Sequence, residues 1–288
     1  MPDPSFSDLV MRWYADSARD LPWRSADVTP WGVLVSEVML QQTPVARVLP
    51  VWQEWQQRWP APADLAAEPA GAAVRAWGRL GYPRRALRLH EAATAIVDRH
   101  DGVVPSDPDT LRRLPGIGDY TAAAVAAFAF GAAVAVLDTN VRRVYARVFD
   151  AGSDAPAHIT EAERRVAAER LPAAQAARYS VAVMELGALV CTARSPRCSE
   201  CPVAVRCAWR AAGAPDSGRR RTPQTYHGTD RQARGRLLAV LRESPHAVSA
   251  AALDAAWPDP AQRARALDGL VADGLVAPLA GDRFALPA

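Results

Sequence analysis

Leu114-Pro115-Gly116-Ile117-Gly118 separates a predicted helix ending near Arg113 from one beginning near Asp119. Two glycines in so short a connection permit positive φ and a tight turn, and the second helix then points its N-terminal N–H groups and positive dipole end outward. Such a hairpin suits phosphate. Because it grips a backbone and not base edges, it is expected to hold DNA without reading its sequence. An ordinary helix–helix turn has the same outline, so the neighbouring residues have to decide. Outward from the hairpin, residues 5 to about 215 read as a succession of helices broken at Pro and Gly, with few β-branched runs that could form a sheet. The expected class is all-α. Thr29 and Pro30 look like the N-cap and first helical position of WGVLVSEVMLQQ, where Val33, Val35, Val38, Met39 and Leu40 make a helix apolar nearly all round and therefore buried. Further helices are predicted at 44–59, 70–80, 83–100, 120–130, 138–149, 160–170 and 173–190.

Beyond this array the composition shifts. Residues 211 to about 230, AAGAPDSGRRRTPQTYHGTD, are rich in Gly, Pro and Ser, carry Arg219, Arg220 and Arg221, and read as a linker. Helical patterns follow at 231–243, 249–256 and 260–274, then two short strands around Gly281 and Asp282, which suggests a small winged-helix-like module.

The 288 residues are half apolar, enough to bury a core, and the formal net charge is +3 from 34 basic and 31 acidic side chains. All 34 basic residues are arginine. Without a lysine no ε-amine can form a Schiff base with a sugar aldehyde, since arginine stays protonated. No stretch approaches the roughly 18 to 20 uninterrupted apolar residues of a membrane span, and MPDPSFSDLV lacks the form of a signal peptide, so a cytoplasmic protein is expected.

Three features carry chemistry. Glu37 sits inside the apolar helix, where burial favours the neutral acid and makes it a proton donor. Asp138 ends the apolar run AVAVL and precedes Thr139 and Asn140, which fits a helix N-cap; paired with Glu37 it also fits a carboxylate that stabilises positive charge on a sugar. The cysteines, Cys191, Cys198, Cys201 and Cys207, follow C-x6-C-x2-C-x5-C and can wrap one centre. Four thiolates suit zinc and an iron–sulfur cluster alike, and the spacing leaves both open. Arg194, Arg197, Arg206 and Arg210 surround the loop and could offset thiolate charge or meet phosphates.

LPGIG, the loop ending in Asp138 and the four-cysteine segment together resemble the endonuclease III superfamily of DNA glycosylases. Within it, LPWR (21–24), SEVMLQQT (36–43), LGY (80–82) and MELGALVC (184–191) resemble the MutY family, over about residues 7–210. The resemblance implies two helical domains with the site in the cleft between them: a cluster-bearing domain from 1–28 and 132–212, and a six-helix domain at 29–131 holding the hairpin. A linker at 213–230 and the module at 231–288 complete this scheme. The resemblance also favours a 4Fe-4S cluster over zinc.

By the same resemblance Glu37 protonates an adenine ring, Asp138 stabilises the sugar oxocarbenium ion, and Asn140 and Tyr120 lie near the sugar. Trp23, Arg24, Leu40 and Glu185 belong to the adenine pocket. Gln42, Thr43 and Tyr82 meet the opposing base, and Leu114, Gly116 and Gly118 meet the DNA backbone. The implied partner is duplex DNA with adenine opposite 8-oxoguanine or guanine, acted on by a monomer. Other readings are a T:G mismatch thymine glycosylase, a non-catalytic iron–sulfur DNA-binding regulator and a zinc-stabilised adaptor.

The sequence departs from the family pattern twice. Bifunctional relatives carry a lysine just after the hairpin where this chain has Tyr120, so a monofunctional glycosylase that leaves an abasic site is expected. MutY-type proteins usually carry a β-rich, NUDIX-like domain that recognises 8-oxoguanine, whereas the 81 residues after Cys207 are mostly helical in pattern. That recognition domain is expected to be absent or replaced, and the basic linker and tail to add phosphate contacts alone.

Overall fold

The computed structural model describes residues 5–153, 155–216 and 225–288. Its helices are α1 (Phe6–Ser17), α2 (Pro30–Leu40), α3 (Val45–Arg58), α4 (Pro62–Ala66), α5 (Ala70–Ala76), α6 (Arg84–His100), α7 (Pro108–Arg112), α8 (Asp119–Phe130), α9 (Thr139–Phe149), α10 (Glu161–Glu169), α11 (Ala176–Leu189) and α12 (Ala208–Ala211). Then follow α13 (Asp230–Glu243), β1 (Val248–Ser249), α14 (Ala250–Ala256), α15 (Pro260–Ala272), β2 (Ala277–Leu279) and β3 (Arg283–Ala285). The predicted all-α class is what is observed.

Local chemistry explains the main boundaries. Thr29 Oγ1 accepts from the Gly32 N–H at 3.1 Å, capping α2 as expected, and Trp31 and residues 33–39 are buried. Alanine-rich α8 ends at Gly131, left-handed at φ 71°, with the Gly131 and Ala132 amides folded back onto the Ala127 and Ala126 carbonyls. The helix expected at 70–80 stops at Ala76, because Gly78, Gly81 and Tyr82 all take positive φ. The helix expected from 173 starts at Ala176, after left-handed Gln175. Strand β1, which the sequence reading does not foresee, is two residues long and pairs Val248 with Phe284 and Ser249 with Arg283.

The chain clusters into two units, one of residues 1–33, 106–109 and 118–220, the other of 34–105, 110–117 and 221–288. In the first, α1 and α9 pack on α11 around Val10, Val144, Val148, Tyr179, Val183 and Leu186. Helix α8 groups here because Ala124 and Ala127 pack with Val136 and, on α11, Ala177 and Met184. In the second, Trp55 meets Trp59 and Trp77 edge-on, and α4 and α5 pack against α6.

Residues 225–288 belong to the second unit. Helices α13 and α15 pair, and the three strands form an antiparallel sheet in the order β1-β3-β2. Arg242 Nε donates to the Val74 carbonyl at 2.8 Å, Arg75 returns a hydrogen bond to the Arg242 carbonyl, and the Gly71 amide donates to Pro287 O at 2.8 Å. A Cβ on Gly71 would stand 2.5 Å from that oxygen. Residues 230–288 hold as many acidic as basic side chains. The run Arg219–Arg221, expected to meet phosphates, lies outside the described residues.

Candidate active site and cysteine centre

Asp138 caps α9. Its Oδ1 accepts from the backbone N–H groups of Asn140 (2.9 Å) and Val141 (2.7 Å), and its Oδ2 accepts from the Asn140 side-chain amide at 2.6 Å. Burial pushes the Asp138 carboxyl above the usual aspartate range, although these donors pull the other way. Asn140 is itself held, its Oδ1 accepting from Arg143 Nη2 at 2.8 Å. Arg143 goes on to the Gly187 carbonyl (2.7 Å, from Nη2) and the Cys191 carbonyl (2.7 Å, from Nε). Helices α9 and α11 come this close because position 187 is glycine: a Cβ there would lie 2.7 Å from Asn140 Cβ. Nothing in the sequence reading points to Arg143, because backbone carbonyls leave no mark in a sequence.

Glu185 is fully buried on α11 and accepts from Arg19 N (3.1 Å), Nε (2.7 Å) and Nη2 (2.8 Å) and from Arg24 Nη2 (2.8 Å). Burial raises its carboxyl, but the Arg19 and Arg24 hydrogen bonds outweigh burial and hold it down at about 2. Arg24 Nη1 is buried, with no hydrogen-bond partner among the described residues. Arg24 and the buried Trp23 lie in a 3-10 turn, residues Pro22–Arg24. Tyr120, in the first turn of α8, is half-buried.

In the second unit Glu37 is 7% exposed on α2, and Leu40 ends that helix half-buried. The next turn exposes Gln42 in a left-handed conformation, φ 53°, and buries Thr43. Tyr82 is also left-handed, φ 46°, and stands 56% exposed.

In the hairpin Leu114 is buried, Gly116 takes φ +75°, and a Cβ on it would lie 2.5 Å from Arg88 Cβ. Of the two glycines that permit positive φ here, Gly116 uses that freedom and Gly118 does not. Gly118 is extended (φ −94°, ψ 179°) as the N-cap of α8, and among the described residues nothing lies within 4 Å of where its Cβ would be. Only Gly116 is demanded by the turn; at Gly118 the missing side chain leaves the approach to the helix end open.

The four cysteines line a single hollow of about 360 Å³, part open to solvent, whose apolar walls include Val144, Leu186, Val190 and Val203. Among the described residues, no three His, Cys, Asp or Glu side chains come together as a single metal ion would need. A rim of four thiols around an apolar hollow fits a cluster of several atoms better than one zinc ion. Burial raises the Cys191 thiol and lifts Cys201 to about 11, so ligation has to displace their protons. Of the four arginines expected around the loop, Arg210 lines this hollow, and a fifth that was not expected touches a thiol. Arg147, 3% exposed, donates to Cys191 Sγ at 3.4 Å and to the Thr192 carbonyl at 2.7 Å, with its guanidinium 4.7 Å from the Trp209 ring centre. Arg197 instead pairs with Glu200 at 3.0 Å.

Comparison with known proteins fits this geometry. Residues 35–170 match the HhH-GPD superfamily of base excision DNA repair proteins, and residues 191–207, bounded by the outer cysteines, match the iron-sulfur binding domain of endonuclease III. Over 278 residues the chain is 55% identical to the adenine DNA glycosylase of Mycolicibacterium smegmatis, covering 96% of this chain and 94% of the relative. Over 297 residues it is 53% identical to that of Mycobacterium tuberculosis, covering 100% and 97%. Among solved structures, a thermostable thymine-DNA glycosylase superposes with a TM-score of 0.66 at 26% identity, over 72% of this chain and 95% of the other. The cysteine loop is that of a 4Fe-4S protein. With the Asp138 cap, the hairpin and the cysteine centre on one chain, and identity above one half along nearly its whole length, the protein belongs to the adenine DNA glycosylase family of the HhH-GPD superfamily.

Proposed function

We propose that this chain is a monofunctional glycosylase that extrudes adenine mispaired with 8-oxoguanine or guanine and hydrolyses its glycosidic bond, leaving an abasic site. The observation that carries the reading is the Asp138 carboxylate, buried yet bonded to two backbone N–H groups and one side-chain amide. An anion fixed by neutral donors is suited to stabilising an oxocarbenium ion as the base departs. Glu37, buried on α2, supplies the proton that makes adenine a better leaving group. Water completes the hydrolysis.

Asn140 orients Asp138, and Tyr120 stands beside the sugar. Trp23 and Leu40 wall the pocket, and the buried Arg24 Nη1, which has no partner among the described residues, is a donor for the extruded base. Glu185 acts by holding Arg24 and Arg19. Gln42, Thr43 and Tyr82 meet the opposing base, while Leu114, Gly116 and Gly118 shape the phosphate-binding hairpin. Cys191, Cys198, Cys201 and Cys207 hold the cluster, which when bound ties four points of the 191–207 loop together. Lyase chemistry is absent because the chain has no lysine and Tyr120 follows the hairpin. The C-terminal module is winged-helix-like, and with acidic and basic side chains in equal number it leaves phosphate contacts chiefly to the basic linker before it. The protein works as a cytoplasmic monomer.

A thymine glycosylase is the alternative reading, and the identity above one half to adenine DNA glycosylases weighs against it. Single-turnover excision on duplexes carrying A:8-oxoguanine, A:G, A:C and T:G separates the two. Adenine release from the first two is expected, and thymine release without adenine overturns the proposal. Borohydride trapping of a covalent complex with abasic DNA would contradict the monofunctional assignment.

A further inference from the structure

Two turns in the second unit each hold a non-glycine residue in the left-handed region, Gln42 and Tyr82, and both residues are exposed. Residues of this size stay left-handed only where their surroundings over-determine the backbone. One side chain does so for both turns. Arg85, in the first turn of α6, donates from Nη1 to the carbonyls of Val38 (2.8 Å), Met39 (3.0 Å) and Gln41 (2.6 Å). Its Nη2 donates to Thr43 Oγ1 (2.9 Å) and to the Gly81 carbonyl (3.1 Å). The guanidinium also stacks over Trp77 and Tyr82, 5.1 and 5.5 Å from their ring centres.

These acceptors fall into three groups. The Val38 and Met39 carbonyls belong to the last turn of α2, whose orphan acceptors and negative dipole end favour a cation, and α2 carries Glu37. Gln41 and Thr43 flank Gln42. Gly81 precedes Tyr82. Burial lowers the Arg85 pKa to about 10, which still leaves it charged at neutral pH. A lysine could not span the same set, because its ammonium is a point charge with no planar fork.

We propose that Arg85 is a positioning residue for base extrusion, holding the Gln42 and Tyr82 turns in their outward poses and in fixed register with the helix that bears Glu37. It touches no reacting atom; it acts through the two turns. The proposal rests on the reading of Gln42 and Tyr82 as DNA contacts given above.

The test is a double-mutant cycle on holoprotein with Arg85→Gln, Tyr82→Ala and the double variant, and with Arg85→Lys as the conservative change. Excision of adenine opposite 8-oxoguanine is measured under single turnover, and extrusion separately, by the fluorescence of 2-aminopurine placed at the target base. Arg85→Gln is expected to reduce both about tenfold or more while iron content and melting transition persist, with Arg85→Lys intermediate. The double variant is expected to lose less than the product of the two single losses, since part of what Arg85 does runs through Tyr82 and the rest through the Gln42 turn. Losses that multiply, or folded Arg85→Gln with wild-type extrusion, would overturn the proposal. If Arg85→Gln does not fold, Arg85→Lys carries the same cycle. Wild-type protein that releases no adenine would sink the proposed substrate, while the 2-aminopurine signal still decides the role of Arg85.

Discussion

Arg143 holds the Asn140 side-chain oxygen at 2.8 Å with one nitrogen and the Cys191 carbonyl at 2.7 Å with another. The asparagine that orients Asp138 and the first residue of the cysteine loop therefore share one guanidinium. Replacing Arg143 by Gln leaves buried carbonyls unpaired, at a cost of about 1–3 kcal/mol each. Two losses are expected together: adenine excision falls at least about tenfold as Asp138 loses its orientation, and the iron-to-protein ratio of purified protein drops. A variant with full iron and wild-type excision would show that the link is idle.

Asp138→Asn removes the anion and keeps the shape. Excision is expected to fall about 10²- to 10³-fold in single turnover. Stability is expected to move the other way. Because burial raises the folded-state pKa of Asp138, the folded protein binds this proton more tightly. The contribution of this group is fully present below the ordinary aspartate pKa and is lost as pH rises through the raised value. The asparagine variant should therefore lose less stability than wild type over that rise, read as melting temperature against pH. For the same reason, wild-type excision should decline on acidification at a pH above the usual aspartate range.

Glu185→Gln tests the opposite sign. With its carboxyl held at about 2, Glu185 stabilises the fold fully above its ordinary value of 4.5, and that contribution fades as pH falls toward 2. At neutral pH the variant leaves two guanidinium groups without their anion and is expected to lose about 3 kcal/mol, the low end for a buried pair because Arg19 is one-third exposed. Denaturant unfolding at pH 7 and at pH 3 should show the gap between variant and wild type narrowing at the lower pH.

Gly116→Ala and Gly118→Ala should part company despite lying two residues apart. At Gly116 a methyl group meets Arg88 Cβ and the backbone is left-handed, so a loss of about 1–3 kcal/mol is expected. At Gly118 the fold should tolerate alanine, and the loss should appear in duplex affinity, since the methyl group occupies the open approach to α8. Equal melting temperatures for the two variants would contradict this reading.

The parts legible in the sequence are those written in local chemistry. Thr29-Pro30 announces α2, the apolar run announces its burial, and four cysteines in one segment announce a centre. Helix ends were harder where a positive φ falls on an ordinary residue, as at Tyr82 and Gln175, because the conformation is imposed from outside the turn. The arginine framework was not legible. Arg85, Arg143 and Arg147 mostly hold backbone carbonyls, which every position possesses. Nor does a pattern of alanines in α8 say which neighbour will cover it.

The second unit is discontinuous, and that sets a timetable for synthesis. Residues 34–105 and 110–117 leave the ribosome long before residues 221–288, yet the groups that satisfy the Gly71 amide and the Val74 carbonyl come from Pro287 and Arg242. At about 5–20 residues per second, the surface of α5 waits on the order of ten seconds for its cover. During that interval the half-built unit is open to chaperones and proteases, so slow translation late in the message should cost yield of folded protein more than slow translation early.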